Sequence, residues 1–231
     1  MRIQFRTEIV GLAMIVTMFV MAAMAWSSAP AQMAVHWDIA GHANRYGGRF
    51  QGLLLLPLVA AGVYAFMLLA PRIDPRRRNY EAFAGPYAIV RTLVIGMLFL
   101  VYVASYLAMR GRSVNVSSMA LTAMGVVFVI IGNYLPKIQP NWFIGVRTPW
   151  TLSSEESWRR THRLAGWLFV FGGAVIAAIG LLHPAWLLWA LLASMATVVL
   201  IPVIYSYFAW RQDPTRAHES LPGPSSTAHD K

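Results

Sequence analysis

The chain has no cysteine, and only 9 acidic residues stand against 19 Lys and Arg in 231 positions. Without cysteine there are no disulfides, thiolate nucleophiles or Cys-ligated metal centres. Charged residues make up only 12% of the chain and hydrophobic ones 58%, with positive mean hydropathy. No ordinary water-soluble domain of this length has that balance, so the class is a membrane protein. A net charge of +10 raises nucleic acid as a partner. The basic residues are spread between apolar segments rather than gathered into a stripe, so no direct nucleic-acid contact is expected.

A span needs about 20 mainly apolar residues to cross about 30 Å of hydrocarbon. Six stretches qualify: Ile9–Trp26, Gly52–Ala70, Thr92–Met109, Ser118–Leu135, Leu164–Leu182 and Pro184–Phe208. His183-Pro184 leaves room only for a tight turn between the last two. The first stretch is longer than the usual signal-peptide core, so it is expected to be retained as a span. With the N-terminus inside, inner segments hold fifteen basic residues and outer ones only Arg45, Arg49, Arg110 and Arg112. The positive-inside rule then gives an all-α, six-helix polytopic protein with both termini inside. The expected organisation is a two-helix unit (1–71) with an outer loop, a basic inner loop (72–91), a four-helix region (92–209), and a tail (210–231) expected to be disordered.

One inner stretch, GNYLPKIQPNWFIGVRTPWTLSSEESWRRTHRLAG (132–166), stands out. Asn133, Pro136, Pro140 and Pro149 break helix geometry and predict a rigid, irregular loop. Trp142, Phe143 and Trp150 suit the headgroup layer. Ser153 with Glu156 reads as a capping box that starts a helix of about 30 residues. On its first turns Trp158, Thr161, His162 and Ala165 share a face. Glu155–Arg159 and Glu156–Arg160 have helix-stabilising i,i+4 spacing, and the arginines would also attract anionic lipid. Packing alone would explain that face, but Asn141, Arg147, Thr148 and Thr151 among aromatics concentrate more hydrogen-bonding groups than anchoring requires. With Gly145 these residues form the candidate functional set.

The order of Asn, Pro, Gly, Arg and Trp in that stretch resembles the signature of the SdpI family, membrane immunity proteins named for protection against a sporulation-delaying peptide toxin. The outer run VHWDIAGHANRYGGR (35–49), followed by LLLLPL, resembles a small domain of unknown function that commonly precedes the signature. Together the two take in spans one, two, four and five. The resemblance implies a cofactor-free, non-catalytic, multi-pass protein of the bacterial cytoplasmic (inner) membrane that neutralises a secreted peptide toxin and signals by holding a winged-helix repressor at the membrane. It would also place outer-loop residues His36, Trp37, Asp38, Gly41 and Arg45 in a family position, although Asn44 stands where an acid is expected.

Other chemistries have weaker footing. His36, Asp38 and His42 are zinc-compatible residue types but lack tight ligand spacing and a fourth ligand, so hydrogen bonding in a compact loop with Gly41, Gly47 and Gly48 is favoured. Glu155-Glu156-x-x-x-Arg160 matches an intramembrane-protease pattern, yet no histidine pair lies deeper in the bundle to complete it. Three spans followed by three of opposite orientation is the layout of an inverted repeat, which keeps a small transporter as the alternative function. Against it, the spans are read as nearly free of internal charge, and Gly173-x-x-x-Ala177 fits close helix packing. Asp74-Pro75 is expected to start a short helix with a basic side (Arg76–Arg78) and an aromatic side (Tyr80, Phe83), ended by Gly85-Pro86. Its two readings are a helix resting on anionic headgroups, or half of a joint site with Asn141–Arg163.

Overall fold

The computed structural model describes residues 5–214, with side chains from Glu8 onward; the expected tail disorder beyond residue 214 lies outside the described residues. The chain is all-α in its spans, with six helices long and apolar enough to cross a membrane. These are α1 (Phe5–Ala25), α2 (Leu55–Ile73), α3 (Ala84–Met109), α4 (Val116–Tyr134), α6 (Glu155–Leu182) and α7 (Leu187–Arg211), with a five-residue α5 (Pro149–Ser153) before α6. Each of the six holds a long apolar stretch, as a helix must when lipid covers the side its neighbours do not, and α6 begins ahead of its stretch with the charged turns Glu155–Arg163.

The first three helices pack together around Ile15, Met18, Ala60, Tyr64, Ile95 and Tyr102. The segment between α1 and α2 is not merely a compact loop. It forms an antiparallel hairpin, β1 (Met33–Trp37) and β2 (Ala43–Gly47). At its turn Gly41 adopts φ +91°, open to glycine without steric cost. Ser117 at the start of α4 donates to the Asp38 carbonyl (2.7 Å), which ties the hairpin to the second half of the protein.

The second half is built on α6, which packs against both α4 and α7. Gly125 and Gly132 on α4 face Gly166, Gly173 and Gly180 on α6, all spaced by seven. A Cβ on Gly173 would fall 2.7 Å from the Gly125 carbonyl oxygen, and one on Gly132 2.7 Å from that of Gly166. The two backbones therefore touch, as small residues permit in lipid, where apolar surface by itself drives no association. The seam is longer than the expected Gly173–Ala177 contact. In the first half, by contrast, the last helix, α3, is the central one.

Several local boundaries differ from expectation. Gly85-Pro86 does not end a helix. Pro86 lies in the first turn of α3, where a missing N–H costs nothing. The segment after Asp74 is a short 3-10 turn, Arg77–Glu81, rather than an α-helix. The cap of α6 is Ser154, whose hydroxyl accepts from the Ser157 N–H (2.9 Å), because Ser154 has the extended backbone an N-cap needs. Ser153 instead ends α5, its hydroxyl on the Trp150 carbonyl. Between α6 and α7, His183 takes the left-handed conformation (φ 46°) at the tight turn expected there.

A candidate recognition cap at the 135–154 connector

The connector between α4 and α6 folds back over the helix ends, and Asn141 organises it. Fully buried, its side-chain oxygen accepts from the Phe143 N–H (2.9 Å) and the Ile144 N–H (2.7 Å). Its amide donates to the carbonyls of Gln139 (2.9 Å) and Ile144 (3.0 Å). A buried amide with all these bonds made fixes one loop shape.

Asp74 joins this loop to the one between α2 and α3. Its carboxylate accepts from the Arg76 N–H (2.7 Å), the Tyr80 hydroxyl (2.8 Å) and the Trp142 N–H (2.9 Å) while only 2% exposed. Burial first, and the bond to Asp74 second, pushes the Tyr80 phenol well above its ordinary range, so it stays a neutral donor. Arg76 donates to the Leu152 carbonyl (2.6 Å) and Asn79 to that of Pro140 (2.7 Å). Tyr80, Phe83, Tyr87, Leu135, Ile138 and Trp158 close an aromatic core beneath. The basic-aromatic segment after Asp74 is thus no free surface helix: its aromatic side is buried in the cap.

His162 holds the other side. Its Nε2 accepts from the Val146 N–H (3.1 Å), so the proton sits on Nδ1, which donates to the Trp158 carbonyl (2.8 Å). Its ring stacks on Trp158 at 4.0 Å, and the Trp158 indole N–H donates to the Ile138 carbonyl (2.8 Å). Gly145, at φ +107°, makes the approach feasible, since a Cβ there would stand 2.2 Å from Nε2. Thr148 and Thr151 form a reciprocal capping box at α5, and Thr148 also shares a hydrogen bond with Ser206 on α7 (2.9 Å). Ser157 donates to the Ser206 carbonyl (2.9 Å), and Ser154 bonds Asp213.

The sequence-derived set therefore divides. Asn141, Gly145, Thr148, Thr151, Trp158 and His162 are brought together, buried or half-buried, and held by chain-internal bonds. Thr161 is buried beside them, with a hydroxyl lacking a partner among the described residues. Trp142, Arg147 and Pro149 remain exposed, Arg147 donating to the Trp142 carbonyl (2.6 Å). Phe143 meets Phe66 edge-on at 5.7 Å and Trp150 meets Tyr207 at 5.3 Å. Asn133 faces away on α4, bonded to the Val129 carbonyl, and exposed Pro136 packs beside Gly166. Asp74 and Tyr80 lie in the segment read as half of a joint site with Asn141–Arg163, and they do meet the connector, whereas Ser154, Ser157 and Ser206 join the cap without a signal in the sequence.

At the opposite end, His36 pairs with Asn44 (2.6 Å), and Asp38 accepts from the His42 N–H (2.8 Å), a bond that lowers the Asp38 carboxyl. Among the described residues no three His, Asp or Glu side chains converge as a metal site would need. Trp37 and Arg45 line a cleft of about 550 Å³ between the hairpin and α2, α3 and α4. Glu156 is engaged by Arg159 and Arg160.

Residues 137–206, which contain most of the cap with α5, α6 and much of α7, match the SdpI/YfhL protein family. Residues 13–61, from α1 through the hairpin into α2, match a domain of unknown function, DUF1648. The first of these regions begins beyond α4 and reaches into the sixth spanning helix, α7. The immunity protein SdpI of Bacillus subtilis (strain 168) is 25% identical over 116 residues, covering 50% of this chain and 56% of that protein. The match thus spans little more than half of the curated relative's length. No solved structure matches the chain. The chain thus carries an SdpI/YfhL region behind a DUF1648 region, on six helices long and apolar enough to cross a membrane, and is similar to SdpI over half of its length.

Proposed function

We propose that the protein is a non-catalytic immunity and signalling module of the inner membrane that protects its host against a membrane-active peptide. The observation that carries this reading is how the cap spends its polar groups. Within the family-matched region, the buried Asn, Thr and His side chains mostly bond the chain itself. That leaves Trp142 and Arg147 exposed, with Phe143 and Trp150 half-buried. Such a surface, rigid beneath and aromatic-cationic above, suits binding a partner with little ordering cost. A secreted peptide toxin and a cytoplasmic winged-helix repressor are the partners proposed, alongside membrane lipids.

This reading puts the cap on the cytoplasmic side, which the positive-inside rule supports, since Arg72, Arg76, Arg77, Arg78, Lys137, Arg147, Arg159, Arg160 and Arg163 all lie at its end of the helices. The transporter alternative finds little support in the packing, since a repeat would make the same helix central in both halves, and here α3 and α6 differ in order.

The test is survival of cells carrying Arg147→Ala with Trp150→Ala under a panel of membrane-active peptides, at matched protein level. Loss of protection that the unaltered protein provides is the expected result. Equal survival with both proteins against every peptide would refute the recognition role.

A further inference from the structure

A charged pair is buried between the first three helices. Glu8 at the start of α1 is ion-paired with Arg91 of α3, and its second oxygen accepts from the Tyr64 hydroxyl (2.6 Å). Arg91 is 2% exposed, and its guanidinium carbon lies 5.8 Å and 5.7 Å from the ring centres of Tyr64 and Tyr87. One of its terminal nitrogens, Nη1, has no hydrogen-bond partner among the described residues. An unmet donor on a buried cation is costly and calls for an acceptor.

The pair borders a cleft of about 580 Å³ of two characters. Ala65, Leu68 and Leu69 form an apolar wall on α2, while exposed Arg72, Arg77, Arg78 and Glu81 and buried Tyr80 complete the lining. Arg72, Arg77 and Arg78 are exposed, and with Arg91 four guanidinium groups border the cavity against two carboxylates.

We propose that this cleft is a binding site for the phosphate of an anionic phospholipid, with Arg91 Nη1 as its buried donor and Arg77 and Arg78 as its rim. Guanidinium groups match phosphate oxygens geometrically. A free phosphate ion would satisfy the same donors. The leucine wall continuing along α2 accommodates acyl chain beside headgroup, which free phosphate does not use, and so favours lipid. The cleft adjoins the cap through Tyr80 and the Arg77–Glu81 turn, but the proposed site depends on no toxin.

Purified protein in nanodiscs supplies the test, with phosphatidylglycerol and phosphatidylcholine of identical chains competing for retention in native mass spectrometry. The unaltered protein retains phosphatidylglycerol preferentially, and Arg77→Gln and Arg78→Gln each weaken that preference by about fivefold. Both changes sit on exposed side chains, and the melting temperature reports that the fold is kept. Arg91→Lys, which keeps charge but loses the forked donors, weakens it too. Equal retention of the two lipids, or a preference indifferent to all three substitutions, would overturn the site. Displacement of phosphatidylglycerol by millimolar inorganic phosphate would overturn the lipid assignment in favour of a free anion.

Discussion

Asp74 is the residue on which the two inner connectors depend. One carboxylate meets three donors from two loops, and each is buried or half-buried where water is scarce. Asp74→Ala leaves the Tyr80 hydroxyl and the Trp142 N–H without their acceptor, at about 1–3 kcal/mol each. Asp74→Asn keeps one oxygen and loses less. Thermal unfolding of the detergent-purified variants checks the order: native above Asn, Asn above Ala. At this scale the sequence was partly legible. Asn141, Thr148, Thr151, Trp158 and His162 could be singled out because polar side chains clustered among prolines and tryptophans at a membrane edge need partners. Which partners was hidden, because Asp74 and Ser206 reach the cap from 68 and 58 residues away. Glu8 and Arg91, 83 residues apart, show the same limit. Read along the chain, Arg91 counts as one more inner-loop cation, and only the fold reveals it as half of a buried pair.

The element whose geometry is most demanding is the α4–α6 seam. Glycines at seven-residue intervals on both helices let carbonyl oxygens approach within the space a methyl group would fill. Gly173→Val must therefore push the helices apart, destabilising the protein by about 1–3 kcal/mol. Gly62→Ala on α2, where nothing lies within 4 Å of the added carbon, is neutral or stabilising by up to about 1 kcal/mol. Melting temperatures of the two variants beside the unaltered protein decide it. The six spans themselves were plain from hydrophobic length alone, since the bilayer sets that length. Their ends were not: α3 begins eight residues before the expected Thr92, because proline in a first helical turn reads from sequence as a terminator. The hairpin between α1 and α2 is not legible for a related reason, since strands as short as MAVHW and ANRYG lack the sustained alternation that marks a half-buried strand.

Across the whole molecule, two different three-helix groups meet. One is centred on α3 and carries the hairpin, the buried ion pair and the arginine-lined cleft; the other is centred on α6 and carries the cap. The contact of Ser117 with the hairpin and that of Asp74 with the connector link them at opposite ends of the helices. The proposed function needs these ends to face opposite solutions, with the cap inside. A chain without cysteine permits this to be measured directly, by introducing one thiol at a time at exposed positions. Asn44→Cys marks the hairpin end and Gln139→Cys the cap end. With a membrane-impermeant maleimide applied to intact cells, or to spheroplasts where an outer membrane bars the reagent, Asn44→Cys is labelled and Gln139→Cys reacts only after the membrane is opened. Labelling of Gln139→Cys before opening, with Asn44→Cys protected, would contradict the account.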